Sequence, residues 1–248
     1  MYKGNIKVGD RFESKRCGWF VVIEANSIKD IVIKFEQTGY ITTIRSQHTV
    51  TGRVKDRLHP TVFSVGFLGE GTYRVKVEGK LTKEYTCWKG MLTRCYYAKF
   101  QDKYPTYKGC SVCEDWHNFQ NFAKYYENNY KDGYHLDKDL LFKGNKVYSP
   151  KTCIFVPPKF NSFMLGHGAK RGKHKVGVYL YSEGTSPYRA SISNNTGKII
   201  HLGHFTTEEE AYQAWLSNKL QQALEYKPEM DIIDDRIYPT VVDIIKEM

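Results

Sequence analysis

Apolar positions change their spacing three times along the chain. In the first third they form short β-branched and aromatic runs: Trp19-Phe20-Val21-Val22-Ile23, Ile31-Val32-Ile33-Lys34-Phe35 and Tyr40-Ile41-Thr42-Thr43-Ile44. Asn26-Ser27 and Gln37-Thr38-Gly39 break them with turn chemistry, and Val8-Gly9-Asp10 leads into a strand before them. Residues 1 to about 75 therefore predict an all-β domain, with strands short and close enough for a small β-barrel. From residue 84 the period becomes helical. Tyr85, Trp88, Leu92 and Cys95 line one face; Trp116, Phe119, Phe122, Ala123 and Tyr126 line a second, with Asp115 as the expected N-cap. The stripes read as core lying beneath the segment that follows them.

Residues 134–163 then predict a β-β-α unit. A strand covers Tyr134 to Leu141, a turn lies at Lys143-Gly144-Asn145, and a second strand covers Thr152 to Val156. Pro157 and Pro158 stop the sheet and open a helix that carries Asn161, because proline fits a helix's first turn. Beyond residue 172, three strands are expected around Gly177–Tyr181, Tyr188–Ser193 and Lys198–Gly203, with Asn194-Asn195-Thr196-Gly197 as a hairpin turn. Thr207 and Glu210 form a capping box for a helix running to about Leu224. Alternation turns Val178, Leu180, Ala190, Ile192, Ile200 and Leu202 toward that helix. It leaves Tyr179, Tyr181, Arg189, Ser191, Ser193 and His201 on the opposite face. The predicted class is α+β: an N-terminal small β-barrel (1–75), a helical and β-β-α finger domain (84–165), a sheet-plus-helix domain (172–226), and an acidic, Ile-rich tail (227–248).

Charge narrows the function. Thirty-seven Lys and Arg against 27 Asp and Glu leave a net charge of +10 over 248 residues, which favours a polyanionic partner such as nucleic acid. Lys170, Arg171, Lys173 and Lys175 sit in a Gly-rich hinge, G-H-G-A-K-R-G-K-H-K-V, suited to tracking phosphates; Arg45, Arg53, Lys55 and Arg57 make the end of the β domain basic. No run of 18 apolar residues suggests a membrane span, and the N-terminus lacks the apolar stretch of a signal peptide. The six cysteines are therefore expected as reduced thiols in a cytoplasm. Cys110 and Cys113 form the one C-x-x-C, with Cys95 and Cys153 isolated, so zinc is not expected. Val65 to Gly71 lacks the Gly-Lys-Ser/Thr ending of a phosphate loop and reads as a connector.

Two stretches carry family resemblances. Y-H-L-D-K-D-L-L-F-K-G-N-K-V-Y-S-P-K-T-C-I-F-V-P-P-K-F-N, with the lead-in W-K-G-M-L-T-R-C-Y and C-S-V-C-E-D-W-x-x-F-x-x-F, resembles the HNH (His-Me finger) nucleases found in bacteriophage proteins. The resemblance implies that Asp137, at the end of the first strand, and Asn161, 24 residues further on, hold one magnesium or manganese ion. The family's base histidine is replaced by Lys138. An ammonium cannot accept a proton, so the resemblance leaves either an uncharged Lys138 or His135, on the strand face of Asp137, to activate water. Gly177-Val178, Tyr188-x-Ala190-x-Ile192, Leu202-Gly203-x-Phe205 and Glu209-Glu210-Ala211 resemble the Apetala/ethylene-response-factor DNA-binding domain, which also occurs fused to phage HNH nucleases. That implies double-stranded DNA as partner, contacted by the face bearing Tyr179, Tyr181, Arg189, Ser191, Ser193 and His201.

Two functions that involve DNA remain open at this point, beside a third in which the chain is a host-protein-binding module and its basic charge and tail sheet are incidental. One is a metal-dependent DNA endonuclease, of homing or mobile-element type, working in the cytoplasm of a host cell if phage-encoded. The other is a catalytically inactive phage DNA-binding or regulatory protein.

Overall fold

The computed structural model describes residues 6–164, 173–181, 184–194 and 196–248. The chain mixes α and β structure and divides into two compact units, Met1–Asn128 and Asn129–Met248.

In the first unit, β1 (Arg11–Ser14), β2 (Gly18–Ser27), β3 (Asp30–Phe35) and β4 (Ile41–Ile44) form an antiparallel meander in sequence order. Phe20, Val22, Ile31, Ile33 and Phe35 are buried along it with Cys17 and Val54, as the alternation requires. The sheet does not close into the expected barrel. After β4 the chain turns into α1 (Ser46–Thr51), and Lys15 N donates to Gly52 O, so the end of that helix is tied beside β1. Among the described residues no β4–β1 ladder forms, and both remain edge strands.

A small ribbon follows, β5 (Lys76–Val77) paired with β6 (Lys80–Leu81). Helix α2 (Lys83–Tyr96) starts at Thr82, whose side chain accepts from Tyr85 N. Trp88, Met91, Leu92 and Cys95 are its buried face. After α3 (Ala98–Lys103) and the two-residue β7 (Ser111–Val112) comes α4 (Phe119–Asn129), which starts later than expected. Asp115 lies in a preceding 3-10 turn, and Asn118 instead accepts from Gln120 N at 2.9 Å. The aromatic stripes are core: Trp88, Trp116, Phe119 and Phe122 are fully buried, and Trp88 Nε1 donates to Trp116 O at 2.7 Å.

The second unit begins with β8 (His135–Asp137), β9 (Val147–Tyr148), β10 (Ile154–Val156) and α5 (Pro158–Met164). β8 and β10 pair antiparallel with Asp137 opposite Ile154 and His135 opposite Val156. The sheet β11 (Val178–Leu180), β12 (Tyr188–Ser193), β13 (Ile199–Phe205) follows as an antiparallel meander. The capping box then starts α6, with Glu210 N donating to Thr207 Oγ1 and Thr207 N to Glu210 Oε2.

Helix α6 does not stop near Leu224. It runs through Pro228 to Ile233 and is followed by α7 (Ile237–Lys246), so the acidic tail is helical and structural. Ala223, Tyr226 and Met230 of α6 share one core with Ile237, Val241 and Ile245 of α7 and with Leu140, Leu141, Val156, Phe160 and Phe163 of the finger. Lys219 adds a polar tie: Nζ donates to Phe163 O at 2.8 Å and lies over the Phe163 ring. Burial lowers the Lys219 ammonium to about 8.

The tail therefore holds the finger. Ile245 is fully buried, and Ile245→Ala is expected to cost about 2–5 kcal/mol. Denaturant unfolding should show the loss, and hydrogen exchange should rise at Phe155 and Val156 on the finger strand. Unchanged protection there would contradict the shared core.

Candidate DNA and metal sites

The finger site grows from the way β8 ends. The strand stops at Asp137 and does not continue to Leu141, because Asp137 Oδ1 accepts from Asp139 N at 2.7 Å and Leu140 N at 2.8 Å. An aspartate that bonds the next backbone N–H groups turns the chain. Oδ2 has no protein donor among the described residues. Burial pushes the Asp137 carboxyl above its ordinary value; the two backbone bonds oppose this and are outweighed.

On α5, Asn161 Oδ1 is buried and has no hydrogen-bond partner among the described residues. A buried acceptor left unpaired costs about 1–3 kcal/mol. The finger thus carries a desolvated carboxylate and an orphaned amide oxygen, both hard oxygen donors. Magnesium keeps several waters and commonly takes only one or two protein carboxylates, so this donor set fits it. Among the described residues no group of three His, Cys, Asp or Glu side chains gathers that could hold an ion alone.

Lys138 is buried, with Nζ donating to Asp139 Oδ1 at 2.5 Å and to Asn145 O at 2.9 Å. Asn145 answers with Nδ2 bonds to Lys138 O and Val147 O, both 2.8 Å, and accepts from Val147 N at 3.1 Å. Lys138 is thereby a clamp across the loop between the strands. His135, two residues before Asp137, is exposed. Burial pushes the Cys153 thiol up to about 12 and the Cys87 thiol up to about 11, and raises Cys113 too. Such thiols act as small apolar packing groups.

The C-terminal sheet differs from strict alternation at one place. A bulge shifts the register so that Ala190 faces Gly203 while Ser191 faces His201, with Leu202 as the extra residue. The outer face therefore gains His204, opposite Arg189, which simple alternation assigns inward. Tyr179 pairs with Arg189 from the other side. Arg189 Cζ lies 5.5 Å from the Tyr181 ring centroid, His204 is 4.9 Å from Tyr181, and His201 is 4.9 Å from His204. Arg189 Nε is buried without a hydrogen-bond partner among the described residues. Partial desolvation and then the charges of Arg189 and His204 lower His201. Ser191 and Ser193 lie half-buried along the row, and Tyr179 and Tyr181 are exposed.

Two inward expectations fail. Leu180 is 60% and Ile200 42% exposed, because the inner face narrows to Val178, Ala190 and Ala211, with Tyr188, Leu202 and Phe205 beside them. Gly177 enters this core at φ 76, where a Cβ would stand 2.0 Å from the Trp215 ring. The hinge cations are partly spent. Lys175 pairs with Glu209, Lys175 N donates to Glu208 Oε1 at 2.6 Å, and His174 Nδ1 lies 3.2 Å from Glu208. Lys173 is exposed; Lys170 and Arg171 lie outside the described residues.

Comparison of the chain with protein-family models, with curated proteins and with solved structures finds no match. Among the described residues no helix is long and apolar enough to cross a membrane.

The raised Asp137 carboxyl has a testable sign. The folded state holds that proton more tightly, so this group's stabilising contribution is lost as pH rises from the ordinary carboxylate value through the raised one. Asp137→Asn keeps the acceptor for Asp139 and Leu140 and removes the charge. In chelator, its melting temperature should exceed the parent's at neutral pH and converge with it in acid. A lower melting temperature for the variant at neutral pH would refute the burial argument.

Proposed function

We propose that the chain is a metal-dependent, HNH-like DNA endonuclease whose C-terminal sheet binds the duplex. The observation that carries this reading is the orphaned Asn161 oxygen on α5, in the same finger as the desolvated Asp137 carboxylate on β8. Both are the residues the family resemblance assigns to the ion. Magnesium or manganese bound there would polarise the scissile phosphate and stabilise the leaving oxygen. His135 is the residue we assign to water activation, since Lys138 is buried and commits two of its three Nζ hydrogens to Asp139 and Asn145. DNA is expected on the face formed by Tyr179, Tyr181, Arg189, Ser191, Ser193, His201 and His204. A three-stranded sheet can lay such a face into a groove, with Arg189 supplying donors and the tyrosines stacking area.

A second reading, DNA binding without catalysis, is favoured by one observation. The position where the family carries its base is occupied here by a lysine built into the loop as a clamp.

Thermal unfolding with and without magnesium or manganese tests the ion. At an ion concentration 100 times its Kd, binding adds about 2.7 kcal/mol of stability, and Asp137→Asn should lose this gain. Plasmid nicking tests the chemistry: the parent should nick with either metal, His135→Ala should fall at least tenfold, and Asp137→Ala should be inactive. Metal-dependent stabilisation without nicking, in a protein that binds DNA, would replace the nuclease by the second reading.

A further inference from the structure

The first unit carries a basic groove that the finger and the C-terminal sheet do not use. It runs along Gly71–Lys76 and is lined by Arg57, Gly71, Tyr73, Arg74 and Lys76 among others. Its backbone is held by α4. Gln120, a buried residue, accepts from Tyr73 N at 2.9 Å and donates to Leu68 O and Tyr73 O, both at 3.1 Å. Gly71, at φ 158, passes so close that a Cβ would stand 2.3 Å from Gln120 Oε1. Tyr73 Oη donates to Glu127 at 2.5 Å. The cations are thus mounted on a fixed wall.

Arg57 is aimed by the same wall: Nε donates to Gly69 O at 2.6 Å, and its terminal nitrogens have no protein acceptor among the described residues. Arg74, Lys76 and Lys80 are exposed, and no described carboxylate pairs with them. The groove continues into the β5–β6 ribbon. Glu78 and Gly79 at its tip have φ 49 and 79, the paired left-handed geometry of a tight two-residue hairpin turn. Lys76 faces Leu81 and Val77 faces Lys80, so each side of the ribbon bears one ammonium and one apolar side chain. Val77 and Leu81 are about half exposed, at 53% and 49%. Thr82 fixes the ribbon's base by donating from N to Val75 O and from Oγ1 to Arg74 O.

We propose that this ribbon and groove are a second duplex-DNA contact, distinct from the C-terminal sheet. A two-stranded ribbon fits the major groove, which is about 12 Å wide, and its apolar side chains can meet thymine methyls there. Arg57, Arg74, Lys76 and Lys80 then take phosphates, the partner that matches unpaired cations on a rigid wall. The inference rests on the reading of the chain as a DNA-binding protein.

The test uses the full chain and a labelled duplex oligonucleotide, with affinity measured over a range of salt. Arg74→Ala, Lys76→Ala and Lys80→Ala combined replace only exposed side chains. The log–log salt slope should flatten by about 2 to 3, at about 0.9 for each phosphate no longer neutralised. Affinity at low salt should fall at least tenfold, and a variant carrying Arg74→Lys with Lys76 and Lys80 intact should keep the parent's slope. If the parent binds and the triple variant keeps its slope, the ribbon contact is wrong while the proposed function stands. If the triple variant loses single-stranded but not duplex binding, the duplex assignment is overturned. If the parent binds no DNA at any salt, the proposed function itself fails.

Discussion

The second unit depends on one continuous helix buried at both ends against different partners. The N-terminal part of α6 closes the core of the C-terminal sheet through Ala211, with Tyr212 and Ala214 beside it. Its C-terminal part closes the core of the finger through Ala223, Tyr226 and Met230. Twenty-six residues of α-helix span about 39 Å. Neither partner can bury enough apolar surface alone: the sheet has three strands and the finger two strands with a seven-residue helix. Sharing α6 solves both problems and fixes the sheet's orientation relative to the finger. Helix α7 adds Ile237, Val241 and Ile245 to the finger's core.

That support lets the finger tolerate poor local energetics. A carboxylate raised by burial and an amide oxygen without a donor are each unfavourable in a core. They persist because Leu140, three residues after Asp137, and Phe160, next to Asn161, are buried in the core shared with α6 and α7. The Lys138–Asn145 clamp does the same for the intervening loop, where little apolar surface is available.

Much of this was legible in the residues. The strands around Phe20, Ile33 and Ile192, the buried Trp88 and Phe119, the Thr207–Glu210 cap and the helix opened by Pro158 follow from local chemistry, which acts within a few residues. What was not legible depends on distant partners. Whether β4 meets β1 is decided by where α1 goes, not by the strand pattern. The end of β8 is decided by a side chain bonding the backbone that follows it rather than by hydropathy, which turns apolar again at Leu140 and Leu141. The burial of α7 had a signal, Ile237, Val241 and Ile245 at helical spacing, but acidic neighbours masked it. His204 was missed because period-two reasoning assumes an unbroken ladder.

The bulge at Leu202 has a consequence for how this surface can change over generations. Side-chain identity normally sets a binding face, and substitutions alter it one group at a time. Here a residue count sets it: His201 and His204 share a side only because three positions, rather than an even number, separate them across an extra residue. Loss of one codon within Leu202–Gly203 would remove the extra residue, restore the regular ladder and leave both imidazoles on the same surface. Flattening the bulge at constant length would instead carry one imidazole to the opposite surface, so the layout of this face depends on the bulge being kept.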